Sequence, residues 1–193
     1  MTLKDRQRAE TRQRIQRHAI RLFEERAYDA TTVNDVAVAA GVSAMTVYRH
    51  FPTKEDLVLY DDLDQLAATT ISELPTTGSL ADRIGRTMLA TFDLTTGPDR
   101  ELLLARLRLM ISTPALQARH LDSQNRLREA FVTALRADSS DPAFEFQARA
   151  AASACLGVAH VALLRWASED GKTSLPDLFR DAFKATFDHE LSR

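Results

Sequence analysis

The 193 residues, 45% of them hydrophobic, suffice to bury a core in one domain or in two small ones. A single cysteine, Cys155, excludes an intrachain disulfide and fits a reducing compartment. Nine Phe against only six Gly and six Pro favour helices over strands.

The formal net charge of −2 hides an uneven distribution along the chain. Residues 1–50 carry nine Lys and Arg against six Asp and Glu, a net charge of +3, so the remainder carries −5. A basic first quarter on an acidic body predicts a polyanionic partner for the basic part.

The predicted elements are all helices, because no apolar–polar alternation persists along the chain. Capping residues and turn residues divide the sequence into about nine segments. These lie at about 5–26, 31–40, 43–51, 53–74, 80–95, 99–112, 114–137, 142–168 and 175–191. The fourth, which Thr53 is expected to cap, is the long helix that joins the two parts of the protein.

The sequence also predicts a cytoplasmic protein without a membrane partner. The chain is charged from Lys4 onward and shows no apolar signal-peptide core there. Its longest apolar stretch, residues 150–164, is interrupted by Ser153 and His160 and is shorter than the roughly 18–20 residues that a membrane span requires.

The stretch "TTVNDVAVAAGVSAMTVYRHFPTKEDL", residues 31–57, has the spacing of two short helices that cross at about a right angle. Gly41 allows the positive φ that a tight turn needs. The residues expected to face inward are Val36, Ala37, Ala40, Val42, Val47 and Phe51. We interpret residues 31–52 as a helix-turn-helix whose second helix enters the major groove of DNA.

In this interpretation, the polar residues of the second helix are candidates for contacts with DNA. Ser43 and Thr46 lie near its start, and hydroxyl groups there suit phosphate oxygens. Its outward residues are Ala44, Met45, Tyr48 and Arg49, and His50 and Lys54 continue the polar strip. Short or apolar side chains such as Ala44 and Met45 permit close approach to base edges and thymine methyl groups.

Several motifs carry a resemblance to a known family. They are Ile15, Ala19 and Leu22-Phe23; Thr31-Thr32-Val33; Val36-Ala37; Ala40-Gly41-Val42-Ser43; Thr46-Val47-Tyr48-Arg49-His50-Phe51; and Lys54-Glu55-Asp56-Leu57. With them the chain resembles the TetR family of bacterial transcriptional regulators. The resemblance implies an N-terminal three-helix DNA-binding domain, residues 1–53, and a helical ligand-binding and dimerisation domain, residues 54–193.

The resemblance also implies roles for single residues. Phosphate contacts are expected from Thr32, Ser43, Thr46, Tyr48, His50 and Lys54. Base-reading contacts are expected from Ala44, Met45 and Arg49, although Arg49 has the alternative of pointing to the DNA backbone or to solvent.

The body carries a weaker pattern that is consistent with an effector pocket. Its candidate lining residues are Met88, Phe92, Arg106, Leu107, Met110 and Phe131, and the alternative is an ordinary bundle core. Arg106 inside such a pocket would suit an anionic head group. The run "RLRLMISTPALQAR" faintly resembles a subgroup that responds to fatty acyl-CoA esters, which we keep as an alternative.

The helix "RAAASACLGVAHVALLRW", residues 149–166, is too apolar for a surface helix, and its small residues let another backbone approach. With the last helix it is expected to form a two-fold interface; the alternative is the core of a monomer. Two recognition helices in a dimer would lie about 34–36 Å apart and meet successive major grooves of a palindromic site.

Catalytic patterns are lacking: the five histidines show no His-Glu-x-x-His spacing, and there is no GxSxG motif or glycine-rich phosphate loop. We therefore expect no enzyme, no cofactor and no metal. The segment Asp188-His189-Glu190 is expected to be a frayed, solvated end.

The combined hypothesis is a homodimeric repressor, released from a palindromic operator on double-stranded DNA by a small hydrophobic or acyl-type effector. The long helix from Thr53 would transmit the change. The alternatives are a transcriptional activator, or a helical metabolite-binding protein or enzyme whose DNA-binding head no longer functions.

Overall fold

The computed structural model describes residues 3–60, 77–136, 139 and 141–191. Across these residues it shows nine helices and no strand, so the predicted all-α fold is confirmed. The helices are α1 Leu3–Arg26, α2 Val33–Ala40, α3 Ala44–His50, α4 Asp56–Leu59, α5 Leu80–Leu94, α6 Gly97–Ser112, α7 Pro114–Leu135, α8 Pro142–Ser168 and α9 Leu175–Phe187.

Side-chain caps explain why several of these helices begin where they do. Thr32 and Ser43 accept hydrogen bonds from backbone amides three residues on, at 3.2 and 3.1 Å, and Ser79 and Ser174 cap α5 and α9 in the same way. Each cap satisfies one amide that has no partner within the helix. The predicted starts of α2, α3 and α9 are therefore confirmed.

The prediction of one long helix from Thr53 is wrong, because the helix ends before Tyr60. Thr53 does form a reciprocal cap with Asp56, since each accepts from the other's amide. However, α4 has only four residues, and Tyr60 is extended, with ψ 130°. Its carbonyl accepts from the Gln16 side chain at 2.8 Å, which holds the chain in this exit from the helix. The rest of the prediction, residues 61–76, lies outside the described residues.

The chain divides into two compact units, of which the first contains residues 1–60 and 101–120. Its core is formed by side chains that are at most 4% exposed, among them Ile15, Ala19, Phe23, Val36, Ala37, Val47, Phe51 and Leu57. The inward positions predicted for the two short helices are buried, except that Val42 keeps intermediate exposure. Helix α2 packs against α1 and α3, and α4 packs against α1.

The second unit contains residues 61–100 and 121–193, and within it α8 packs against α5 and α9. Small residues of α8 make this possible, because Ala148, Ala152 and Ala162 are at most 2% exposed and let neighbouring helices come close. Gly85 of α5 likewise lets a neighbouring helix, α9, come close, because a Cβ atom there would lie only 2.7 Å from Phe183 Cε2.

Part of α8, Ala143–Ser168, is long and apolar enough to cross a membrane by length and composition alone, with a mean hydropathy of 1.4. The expectation that no stretch reaches this length is therefore wrong. Its buried residues, such as Cys155 and Trp166, belong to the core of the second unit. The helix is thus explained as a core helix.

Asp188, His189 and Glu190 are exposed, as expected, but the expectation that this segment is frayed is wrong. His189 Nε2 lies 2.6 Å from Asp82 Oδ1, and its Nδ1 lies 2.9 Å from the Phe187 carbonyl oxygen. Both hydrogen bonds raise the pKa of His189 above its usual 6.5, and the one with Asp82 has the larger effect. Leu191 beyond it is 7% exposed. The segment is therefore docked on α5.

Candidate nucleic-acid interface

Gly41 reverses the chain between α2 and α3. Its φ of 66° lies in the left-handed region, which glycine enters without a side-chain clash. The amides of Gly41 and Val42 donate to the carbonyls of Val38 and Ala37, at 3.1 and 3.0 Å, and so close the end of α2. The predicted turn is confirmed, and it leads directly into Ser43.

Two hydroxyl groups lie side by side where α3 begins. Ser43 Oγ accepts from the Thr46 amide at 3.1 Å and lies 2.9 Å from Thr46 Oγ1. Ser43 is exposed and Thr46 partly so. Hydroxyl groups in this position are able to donate to a phosphate oxygen.

The remaining surface of α3 is exposed on one side only. Val47 is fully buried, whereas Met45 is 76% and Tyr48 is 48% exposed. Arg49 is also exposed, and Ala44 keeps intermediate exposure. The predicted outward face therefore exists, with one thioether, one phenol and one guanidinium on it.

His50 does not belong to that face. The prediction that His50 continues the exposed polar strip is wrong. The residue is only 8% exposed, and its Nδ1 is buried without a hydrogen-bond partner. Burial, followed by the nearby charges of Arg49, Arg8 and Arg12, holds the pKa of His50 below 6.5. The ring is therefore neutral at pH 7 and brings no positive charge to the surface.

Thr32 is exposed, but its hydroxyl already has a partner. Thr32 Oγ1 donates to Asp35 Oδ2 at 2.6 Å, and the Thr32 amide donates to the same oxygen at 2.8 Å. These hydrogen bonds from Thr32 lower the pKa of Asp35. A phosphate contact by Thr32 would require its hydroxyl to turn away from this carboxylate.

Lys54 also has internal partners. Its ammonium donates to the Tyr28 carbonyl at 2.6 Å and lies 4.2 Å from the centre of the Tyr28 ring. The centre of the Phe23 ring is 5.7 Å away. Lys54 therefore connects the start of α4 to the turn between α1 and α2.

A basic surface runs along α1. Its exposed cations include Lys4, Arg6, Arg8, Arg14 and Arg17. Arg12 instead donates to the Tyr60 hydroxyl at 2.8 Å and stacks on that ring. Besides burial, the charges of Arg8 and Arg12 help to lower the pKa of His50, the last residue of α3.

Comparison with known proteins agrees with this geometry. A family model described as bacterial regulatory proteins of the tetR family matches residues 15–60. A model of the MftR C-terminal domain matches residues 79–189, which is more than half of the chain. The chain belongs to the TetR family.

Curated relatives of this TetR-family chain are transcriptional regulators by name. A protein of Mycobacterium tuberculosis, provisionally named the mycofactocin biosynthesis transcriptional regulator MftR, is 28% identical over 92% of this chain and 90% of its own. The sequence resemblance is thus confirmed, and it supports DNA binding and transcription regulation.

Solved structures show the same fold. The fatty acid degradation regulator FadR of Bacillus halodurans has a TM-score of 0.62 at 17% identity, over 91% of this chain and 94% of that one. FadR of Bacillus subtilis, solved in complex with stearoyl-CoA, has a TM-score of 0.56 at 16% identity, over 90% and 96% of the two chains.

The predicted effector-pocket residues of this TetR-family member divide between the two units. Met88, Phe92 and Phe131 belong to the second unit, and Phe92 meets the Phe179 ring edge-on at 5.4 Å. Leu107 and Met110 are buried in the first unit. Arg106, also in the first unit, donates through Nε to the Val58 carbonyl at 2.5 Å and so caps the end of α4.

In the residues that the structure describes, metal-ligating side chains do not cluster, and the one cysteine is buried. Those residues contain no cluster of three or more His, Cys, Asp or Glu that could hold a metal ion. Burial, and then the charge of Asp82, raises the pKa of the Cys155 thiol to about 12, so it is protonated and unreactive at pH 7.

Proposed function

We propose that this TetR-family protein is a homodimeric, ligand-responsive repressor that binds a palindromic operator. The observation that carries the proposal is the exposed face of α3, where Met45 and Tyr48 stand opposite the buried Val47. A helix of this kind, presented after a tight turn beside a basic surface, suits the major groove. We also propose that the boundary between the two domains lies near residue 53 and that the protein is located in the cytoplasm.

The residue roles follow from chemistry and exposure. Phosphate contacts come from Ser43, Thr46, Tyr48 and Thr32. Base edges are read by Ala44, Met45 and Arg49, with the Met45 side chain placed to meet thymine methyl groups. The exposed arginines of α1 supply the sequence-independent attraction to DNA.

Two variants of α3 test these roles. We expect Tyr48→Phe, which removes one hydroxyl, to weaken binding to every DNA sequence about 5–10-fold and to leave the ranking of sequences unchanged. Met45→Ala is expected instead to change which base is preferred at one position of each half-site. Selection from a randomised duplex library, followed by affinity measurement in gel-shift titrations, distinguishes the two effects.

A matched control for Met45→Ala is Leu121→Ala, because Leu121 of α7 is also a large exposed side chain, at 62%. It should leave affinity and sequence preference as in the wild type. If Met45→Ala leaves the preferred sequence unchanged, the base-reading role is wrong; if the wild-type protein selects no sequence, the operator-binding proposal fails.

The dimer proposal is based on an exposed strip of α8. Five exposed residues of α8 follow one another at three- or four-residue spacing: Phe146, Ala150, Ser153, Gly157 and Val161. We call these residues the α8 strip. Phe146 and Val161 are 75% and 60% exposed. A Cβ atom at Gly157 would meet nothing within 4 Å. An apolar strip with an open glycine at its centre suits a second copy of the same helix.

The effector is proposed to be small and hydrophobic or acyl-type, bound within the second unit by the aromatic and thioether side chains of Met88, Phe92 and Phe131. Its support is the chemistry of these residues and the stearoyl-CoA complex of the structurally similar FadR protein.

The effector class is tested with stearoyl-CoA as the probe. We expect it to release the protein from its selected operator at micromolar concentration, and to raise transcription from a repressed template. Free coenzyme A serves as the control and should release nothing. If stearoyl-CoA fails to release DNA, the acyl-type effector is wrong; if the protein raises transcription without an effector, it is an activator.

A further inference from the structure

Residues 188–191, at the end of the second unit, are held on α5 through a histidine. The His189 Nε2 atom lies 2.6 Å from Asp82 Oδ1, and its Nδ1 atom lies 2.9 Å from the Phe187 carbonyl oxygen. Both ring nitrogens thus face an acceptor. A neutral imidazole has a hydrogen on one nitrogen only, whereas an imidazolium donates from both. The two contacts together therefore require the charged ring.

The carboxylate of Asp82 is oriented to receive this donor. Its other oxygen, Oδ2, accepts from the Ser79 amide at 3.0 Å and from the Ser79 hydroxyl at 2.8 Å. Burial raises the pKa of Asp82, but the hydrogen bonds from His189 and Ser79 outweigh it and lower the pKa below its usual 3.8. Asp82 therefore stays ionised throughout the pH range in which a histidine titrates.

A leucine near the end of the chain docks beside the histidine. Leu191 is 7% exposed, and a Cβ atom at Gly85 would lie 2.9 Å from its Cδ2 atom. Gly85 lies three residues after Asp82, on the next turn of α5. The His189 ring also meets the Phe183 ring edge-on at 5.7 Å. One polar and one apolar contact thus fix the segment on successive turns of the same helix.

Several charged groups surround this contact. On α5, the Arg86 Nη2 atom donates to the Thr77 carbonyl at 2.6 Å. On α9, the Lys184 ammonium pairs with Glu190 at 2.7 Å. The groups that act on the imidazole are thus Asp82 and Arg86 of α5, Lys184 of α9, and Asp188 and Glu190 of the segment itself. The hydrogen bond with Asp82, then that with the Phe187 carbonyl, raises the pKa of His189 above 6.5.

We infer that residues 188–191 form a proton-dependent clasp, closed on α5 while His189 is charged and opened when the ring loses its proton. Deprotonation leaves one ring nitrogen with a lone pair that faces an oxygen atom, and it removes the ion pair with Asp82. The side chain is 45% exposed, so its proton exchanges freely with water. The clasp is therefore closed below the pKa of His189 and opens as the pH rises through it. Neither DNA nor an effector takes part in this step.

Nuclear magnetic resonance of the full chain, with labelled leucine methyl groups and histidine rings, tests the clasp between about pH 5 and about pH 9. The Leu191 signal is assigned from its loss in Leu191→Ile. The variants are His189→Ala, which removes both hydrogen bonds, and Asp82→Asn, which removes the ion pair. Arg180→Gln is the matched control, because Arg180 of α9 pairs only locally, with Asp177.

In the wild type and in Arg180→Gln, the Leu191 signal should move from a docked to a released position. Its midpoint should equal that of the His189 ring signal and lie above 6.5. In Asp82→Asn both midpoints should fall together, and in His189→Ala the Leu191 signal should stay at the released position even at low pH.

Three results would overturn the clasp: a Leu191 signal that stays in place while His189 titrates, one that moves equally in His189→Ala, or a His189 midpoint at or below 6.5. The remaining leucine signals report whether each variant is folded. Failure of the proposed regulator function would leave this titration unchanged, because the samples contain no DNA and no effector.

Discussion

Replacing Gly157 with leucine is expected to split the proposed dimer and to lower operator affinity by at least about 100-fold. In a single copy the change is harmless, because a Cβ atom at Gly157 meets nothing within 4 Å. It should even favour the helix, since glycine inside a helix costs about 1 kcal/mol relative to a good helix former. A partner helix packed on the α8 strip would leave no such space.

The loss of DNA affinity follows from the geometry of a palindrome. A dimer contacts two half-sites at once, and a monomer contacts one. The measurement is sedimentation velocity over a range of protein concentrations, followed by gel-shift titration with the selected operator.

Thr133→Leu is the matched control for Gly157→Leu, since Thr133 is exposed on α7 of the same unit. It should leave both the oligomeric state and the operator affinity unchanged. A Gly157→Leu protein that sediments as the wild type does would show that the α8 strip is not the interface. Thermal unfolding of the monomeric variant is expected to remain cooperative, which separates dissociation from misfolding.

The second large effect is expected from Gly85→Val, which should destabilise the second unit by about 3 kcal/mol. The Cβ atom alone would lie 2.7 Å from Phe183 Cε2 and 2.9 Å from Leu191 Cδ2. Phe183 is fully buried, and its ring meets that of Phe187 at 4.4 Å, so it has little room to move. Overpacking of this kind typically costs about 1–3 kcal/mol, and the two further methyl groups of valine add to it.

The free energy of unfolding in urea, and the accompanying Tm, measure this loss. Gly85→Ala should show a smaller loss than Gly85→Val. Phe183→Leu, which removes the clashing ring atom, should cost less in the Gly85→Ala background than in the wild type. Equal stability of Gly85→Val and the wild type would contradict the close approach of α5 and α9.

Much of the candidate site was predictable because its interactions are local. The cap of Ser43 on Thr46 and the closing hydrogen bonds around Gly41 join residues no more than five positions apart. Residue type and spacing specify such contacts directly. The outward direction of Met45 and Tyr48 follows from the helical period once Val47 is assigned to the core.

Other contacts were not predicted because the two partners are distant in sequence. Lys54 binds a carbonyl 26 residues away, and Arg106 binds one 48 residues away. His189 pairs with Asp82 across 107 residues, so the end that was expected to be frayed is held against α5 while it stays exposed. His50 sits at a position that helical geometry leaves near the boundary of the core, and only the tertiary structure decides that it is buried.

The amino-acid order alone determined the helical class of the fold, most helix starts, the turn at Gly41 and the family of this protein, since these depend on short-range spacing of caps, glycines and apolar side chains. Only the tertiary structure decided which polar groups remain available to a partner molecule. The reason is physical: a buried or internally bonded ammonium, imidazole or guanidinium finds its acceptor through helix packing, and no local pattern reveals which distant carbonyl or ring it will meet.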